Sequence, residues 1–360
     1  MRTGWHGKKR FAAVVTSFLL AAPALSHEAD LTRLPLGDGK ISTEAKAGWI
    51  WACRVDPNGG GAFRNGPWIK ADGTFDFTAK AVVPGDVHWP SRYTMRLEGE
   101  RRIFALNDLP NHGTGVFPIP SDSAAYQYDR NPNAIGAQNF AVELPANPVL
   151  AAAPSCAPGA VGILLSGAVL FNALDAPGRD AVAHETQDKC QGHPQQGGVY
   201  HYHSISTCID DKRLPGGHSA LVGYAIDGFG IFGRYGEGGK LLSSADLDAC
   251  HGHTHVIDWN GRRVAMYHYH ATWDFPYTIG CLRGAYAFAN VMAISGAPPR
   301  DRMGGGPGGG RPDLAAAAIK LHISEEQLRA ALGPPPPDLA VTAKKLGVSE
   351  QSLRDALGLP

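Results

Sequence analysis

Two strings in this 360-residue sequence combine residue types that can do chemistry: Tyr-His-Tyr-His stands at residues 200–203 and again at 267–270. On an extended strand alternate side chains share a face, so His201 and His203 point one way while Tyr200 and Tyr202 point the other. His268 and His270 stand in the same relation to Tyr267 and Tyr269. Alternate positions lie about 6.6 Å apart along a strand, and two imidazoles so placed can lean onto one ion at the roughly 2.0–2.1 Å bond that zinc prefers. Two such strands side by side would present four imidazoles to one ion or a close pair. The metal reading therefore starts from the expectation that the two tetrapeptides converge on a shared void.

The repetition is wider than the tetrapeptide. Cys190-x-Gly192-His193 precedes the first copy and Cys250-x-Gly252-His253 the second, and a further cysteine follows each, Cys208 and Cys281. This reads as two related β-turn-β units. His193 and His253 become outer ligand candidates, with His251 and His255 as extra imidazoles, and disulfides are expected between Cys190 and Cys208 and between Cys250 and Cys281. Imidazoles packed together without an ion would each need a hydrogen-bond partner and would repel on protonation near pH 6, which favours a metal for the cluster. Four imidazoles without a thiolate point to copper or zinc. The tyrosines are expected to pack with their hydroxyls at a polar rim.

Catalysis is left open by these residues. Glu185, Asp188 and Asp227 are the nearby carboxylates, and an open zinc position served by Glu185 or Asp227 would make a hydrolase. A non-catalytic surface or carbohydrate-binding module with a groove lined by tyrosine and histidine is a further reading. Cleavage after Ser26 would expose His27 as an amino-terminal copper chelator.

Around these motifs the sequence is rich in glycine and proline, which favours turns and short strands over a helical bundle. The fold class is mainly β, a glycine-rich sandwich or irregular β domain with an internal pseudo-repeat, plus short C-terminal helical hairpins. "WIWACRV" and "TFDFTAKAVV" are strand candidates, and "RYTMRL" with "RRIFAL" forms a hairpin. "VGILLSGAVLFN" and "LVGYAIDGFGIFGRYG" are apolar runs broken by glycine, as buried strands with tight turns require.

Residues 1–26 read as an export signal, basic "MRTGWHGKKR" then apolar "FAAVVTSFLLAAPAL", so the mature protein is expected outside the cytoplasm, secreted or periplasmic, with no membrane span. There six cysteines favour disulfides. Balanced charge, 33 basic against 33 acidic residues, excludes an electrostatic nucleic-acid binder. The domains run 27–94 as an N-terminal β extension, 95–295 as the histidine-bearing domain, 296–312 as a Gly/Pro linker and 313–360 as two 25-residue helical hairpin repeats. In the first repeat Ser324 and Gln327 fit a capping box and Gly333 a stop. The repeats are expected to pack on each other or on a protein partner.

The ordered motifs "NDLPNHGTGVFP", "NPN", "VGILLSGAVLFNALDAPGRDAV", both tetrapeptides, "LVGYAIDGFGIFGRYG", "LDACHGHT" and "YHYHATWDFPYTIGCLRG" resemble the YHYH protein family over roughly residues 95–290. The resemblance implies one domain holding both tetrapeptides in an exported bacterial protein, and it adds His112 to the candidate ligands. It implies no substrate. Asn107-Asp108 departs from the family's Asn-Gly, and "HVIDWNGRR" lengthens the second unit.

Overall fold

The computed structural model describes Met1, Gly4 and residues 28–56, 59–209, 211–296, 314–333 and 339–357. The signal-peptide reading, His27 and all of the Gly/Pro linker but Gly296 fall outside the described residues.

The two glycine-broken apolar runs form matching hairpins. The first pairs β1 (Ala160–Leu164) with β2 (Val169–Phe171), and two further strands follow, β3 (Gly192–Pro194) and β4 (Tyr200–Tyr202). The second pairs β5 (Leu221–Ala225) with β6 (Gly230–Phe232), followed by β7 (Gly252–Trp259) and β8 (Arg262–His270). Gly167 and Gly228 occupy equivalent turn positions with φ of 87° and 91°, the left-handed region that side chains with a Cβ avoid.

All eight strands join one sheet in the order β3-β4-β2-β1-β5-β6-β8-β7. In each half the tetrapeptide strand lies parallel to the second strand of its own hairpin and antiparallel to the strand carrying Gly-His. The halves meet at β1 and β5, where Gly162 opposes Ala225, Ile163 opposes Tyr224 and Leu164 opposes Gly223. Aligning the hairpin sequences makes Gly162 equivalent to Gly223 and Leu164 to Ala225. Exchanging the halves therefore maps these pairs onto one another, which makes the sheet a pseudo-twofold duplication.

That topology overturns the expected convergence. Five strand steps separate β4 from β8, about 24 Å at the usual spacing. Each histidine strand is added to the hairpin of its own half, so each His-x-His pair is completed from within its own repeat.

A three-stranded antiparallel sheet of Tyr93–Glu98, Arg101–Leu106 and Phe140–Pro145 packs against the large sheet. The Phe104 ring stands 5.5 Å from that of Tyr224, and the Arg102 guanidinium covers the rings of Tyr224 and Trp259. The hairpin expected from "RYTMRL" and "RRIFAL" is thus present. The strand candidates farther upstream are not: "WIWACRV" makes only isolated bridges at Ile50 and Ala52, and "TFDFTAKAVV" only the two-residue strands Thr74–Phe75 and Val82–Val83. Their aromatic residues serve packing instead of alternation. Ile50, Trp51, Trp68 and Phe75 are buried in the same core as the sheet, and the Trp68 indole donates to Ala183 O.

All six cysteines are paired, Cys53–Cys156, Cys190–Cys208 and Cys250–Cys281, the last two as the motif spacing led one to expect. No helix among the described residues is long and apolar enough to cross a membrane.

The C-terminal repeats form α1 (Leu314–Lys320), α2 (Glu325–Leu332), α3 (Leu339–Leu346) and α4 (Glu350–Leu357) around a small core including Ala317, Leu328 and Leu353. Ser324 and Gln327 close the capping box. The first repeat also docks on the β domain, where Glu325 N donates to Cys53 O at 2.9 Å and Gln327 Nε2 to Thr43 O at 2.8 Å.

Candidate metal centres

In the first half, His193 on β3 is the cross-strand partner of His201 on β4, and His203 follows at the strand end. The His203 Nδ1 faces the carbonyl oxygen of Asn172, and the His201 Nδ1 faces that of Val199 at 3.3 Å. A carbonyl oxygen only accepts, so each Nδ1 carries the ring proton and each Nε2 presents a bare lone pair. Those two Nε2 atoms stand 3.2 Å apart. Glu185 Oε2 lies 3.4 Å from His193 Nε2 and 3.3 Å from His203 Nε2. All four side chains are buried, and neither nitrogen of His193 nor Oε2 of Glu185 makes a hydrogen bond.

The second half repeats the plan with a different fourth member. His253 on β7 pairs across to His268 on β8, His270 follows, and His218 arrives from the loop preceding β5. The Nδ1 atoms of His218, His268 and His270 face the carbonyl oxygens of Ser219, Met266 and Gly233 at 2.7, 3.0 and 2.7 Å. Their Nε2 atoms are again unprotonated acceptors. His268 Nε2 lies 3.1 Å from His253 Nε2 and 3.3 Å from His218 Nε2, while His270 Nε2 is buried without a partner. One nitrogen from each of the four rings falls within 4.8 Å of the others.

Two lone pairs facing each other at such distances repel. Burial disfavours the charged form of the rings: His193 is brought down to about 4 and His268 to about 3, and His201 and His270 lie well below the ordinary imidazole value. Burial also lowers His218 and His253. Glu185 is an anion. Burial by itself would raise its pKa, but the neighbouring His193, His203 and Lys80 outweigh that and hold it at about 2. Nitrogens bound tetrahedrally to one ion at 2.0–2.1 Å are about 3.3 Å apart, the spacing seen in both clusters.

The tyrosines occupy the other face, where only the Tyr267 hydroxyl, on the half-exposed Asp248, reaches a polar rim. The Tyr200 hydroxyl donates to Asp188 at 2.9 Å and the Tyr269 hydroxyl to Asp227 at 2.6 Å, all four residues being buried. Tyr202 meets Ser166, the residue equivalent to Asp227, and Tyr267 donates to Asp248, the residue equivalent to Asp188. Gly192 and Gly252 make room for this: a Cβ there would stand 2.2 Å from the Tyr200 ring and 2.5 Å from the Tyr267 hydroxyl. Buried in this way, the tyrosines line no surface groove.

Of the expected residues, His193, His201 and His203 come together, as do His253, His268 and His270. His112 joins neither set. Its Nε2 meets the Tyr202 hydroxyl at 2.7 Å on the tyrosine face, and the nearby Cys190 and Cys208 sulfurs are committed to a disulfide. His251 is engaged by Ser244, Thr272 and the carbonyl of His270. Asp227 also accepts from the backbone of Phe229, Arg283 and Gly284, so of the two expected carboxylates Glu185 is the one beside a histidine cluster. His218 was not legible as a ligand, because it has no second histidine at strand or helix spacing.

The model of the YHYH protein family matches residues 141–241, which hold β1 to β6 and the first tetrapeptide and end before the second. No curated protein and no solved structure matches the chain.

Proposed function

We propose that this YHYH-domain protein is an exported metal-binding protein that holds two separate transition-metal ions, zinc or copper(II), one in each half of its duplicated sheet. His193, His201, His203 and Glu185 bind the first. His218, His253, His268 and His270 bind the second.

One observation carries the reading: Nε2 atoms of rings whose Nδ1 protons point at carbonyl oxygens approach to 3.2–3.3 Å in each half, at the spacing of ligands on a common ion. The carbonyl acceptors behind the rings supply the outer hydrogen bonds that fix tautomer and orientation at metal-binding histidines. Nitrogen-rich donors without thiolate favour zinc or copper(II) over softer or harder ions. Three imidazoles at the first centre and four at the second suit an ion that is held, and Glu185, 3.3–3.4 Å from His203 and His193, is read as a further ligand and not as a base acting on bound water. Three disulfides together with the signal-like opening of the sequence support export.

Metal analysis after equilibrium dialysis against zinc or copper(II) tests this. The wild-type protein is expected to retain two ions per chain. His201→Ala with His203→Ala should retain one, and so should His268→Ala with His270→Ala. A folded wild-type protein that retains neither metal contradicts the reading.

A further inference from the structure

The two centres differ in how they meet solvent. In the first, His193, His201 and His203 are 3–4% exposed and Glu185 8%. In the second, the His253 side chain is 24% exposed, and beside it stand His255 and Glu237 at 41% and 42%. Glu237 Oε1 lies 2.7 Å from His255 Nδ1 and 3.7 Å from His253 Nε2. The His255 Nδ1 is screened from solvent yet makes no hydrogen bond, so its close approach to Glu237 is not explained as one. Its ring stacks on that of His218, 6.0 Å between centroids and 14° from parallel.

His218, Glu237 and His255 therefore form a second donor set, with their ligand atoms within 4.8 Å of one another, and His218 belongs to both sets. The arrangement is built into the backbone. Gly238 N donates to Gly216 O at 3.0 Å and Ser219 N to Tyr235 O at 2.8 Å, locking the Glu237 turn to the His218 loop.

We propose that Glu237 and His255, sharing His218, form an outer docking set through which zinc or copper(II) enters and leaves the four-imidazole centre, making that ion exchangeable while the ion of the first centre stays resident. The inference rests on the two-ion reading above. Transfer is ligand exchange: the bond to His218 is kept, two of the three bonds to His253, His268 and His270 are replaced by bonds to Glu237 and His255 and the third by a bond to water, so the coordination number is kept and no electrons move. An ion that left without such partners would lose its donors before water replaced them.

The test follows zinc release from fully loaded protein into excess chelating dye. Wild type should release one zinc fast and one slowly, and the His268→Ala, His270→Ala variant should lack the fast phase. Glu237→Gln and His255→Asn should each keep two zinc ions at equilibrium and an unchanged melting curve, while slowing the fast phase by about tenfold, the scale on which outer ligands act at metal sites. Unaltered release in both variants overturns the proposal and leaves Glu237 and His255 as a surface ion pair. Loss of one zinc at equilibrium also overturns it, since the residues would then be resident ligands. A wild type that binds no zinc instead removes the two-ion reading on which the proposal stands.

Discussion

Removing both ions with a chelator is expected to lower folding stability by about 8 kcal/mol relative to protein held at a free-ion concentration about 1,000 times Kd. An ion that binds only the folded chain contributes about 4 kcal/mol under those conditions, and the proposal has two. Selectivity for the folded state follows from where the donors come from. The first centre joins the segment before β3 to β3 and β4, and the second joins the loop before β5 to the β7–β8 hairpin. An unfolded chain keeps only isolated His-x-His pairs. Without the ions, the facing lone pairs at 3.2–3.3 Å become repulsive contacts in the two clusters. Denaturant unfolding followed by tryptophan fluorescence, with and without chelator, measures the difference. Superimposable curves would exclude ions that tie these strands together.

The second large effect lies away from the metal ligands. Asp227→Ala is expected to cost about 4 kcal/mol and to empty the second centre of its ion, although Asp227 sits on the opposite face. Its carboxylate accepts from the Tyr269 hydroxyl and from the backbone of Phe229, Arg283 and Gly284. Each buried donor left unpaired costs about 1–3 kcal/mol, and three, the Tyr269 hydroxyl and the N–H groups of Phe229 and Gly284, lose their acceptor together, while Arg283 N keeps the Tyr269 oxygen. Tyr269 lies between His268 and His270, so a shift of that ring moves both ligands. Burial raises the Asp227 pKa, so the carboxylate's charge is itself unfavourable. Asp227→Asn removes that charge and keeps one acceptor oxygen, and should cost less. Chemical denaturation and metal content of the two variants decide the matter, and an Asp227→Ala protein with wild-type stability and two ions would refute it.

Much of this was written in the sequence because the relevant signals are local. Alternation along a strand placed histidines on one face and tyrosines on the other, cysteines flanking each histidine strand gave two disulfides, and glycine-broken apolar runs gave the two hairpins. Strand order was not local. A parallel strand returns to its sheet through a crossover, and nothing in "YHYH" says which strand it will join, so one shared cluster was expected where the sheet holds two.

The fourth donors were hidden for a related reason. Glu185 enters between the second and third strands of its half, whereas His218 precedes the first strand of the other. Aligning the repeats therefore does not bring them into register. The upstream aromatic segments misled in another way: Trp51 and Phe75 fill the core from between isolated bridges and from a two-residue strand, and their apolar character reports burial without a long ladder.

The most direct test is an anomalous difference map from crystals of the zinc-loaded protein. Two separate peaks are predicted, one between His193, His201, His203 and Glu185 and the other between His218, His253, His268 and His270, each about 2.0–2.2 Å from its donor atoms. Protein folded as described, with no peak at either cluster or with a single peak elsewhere, would contradict the account.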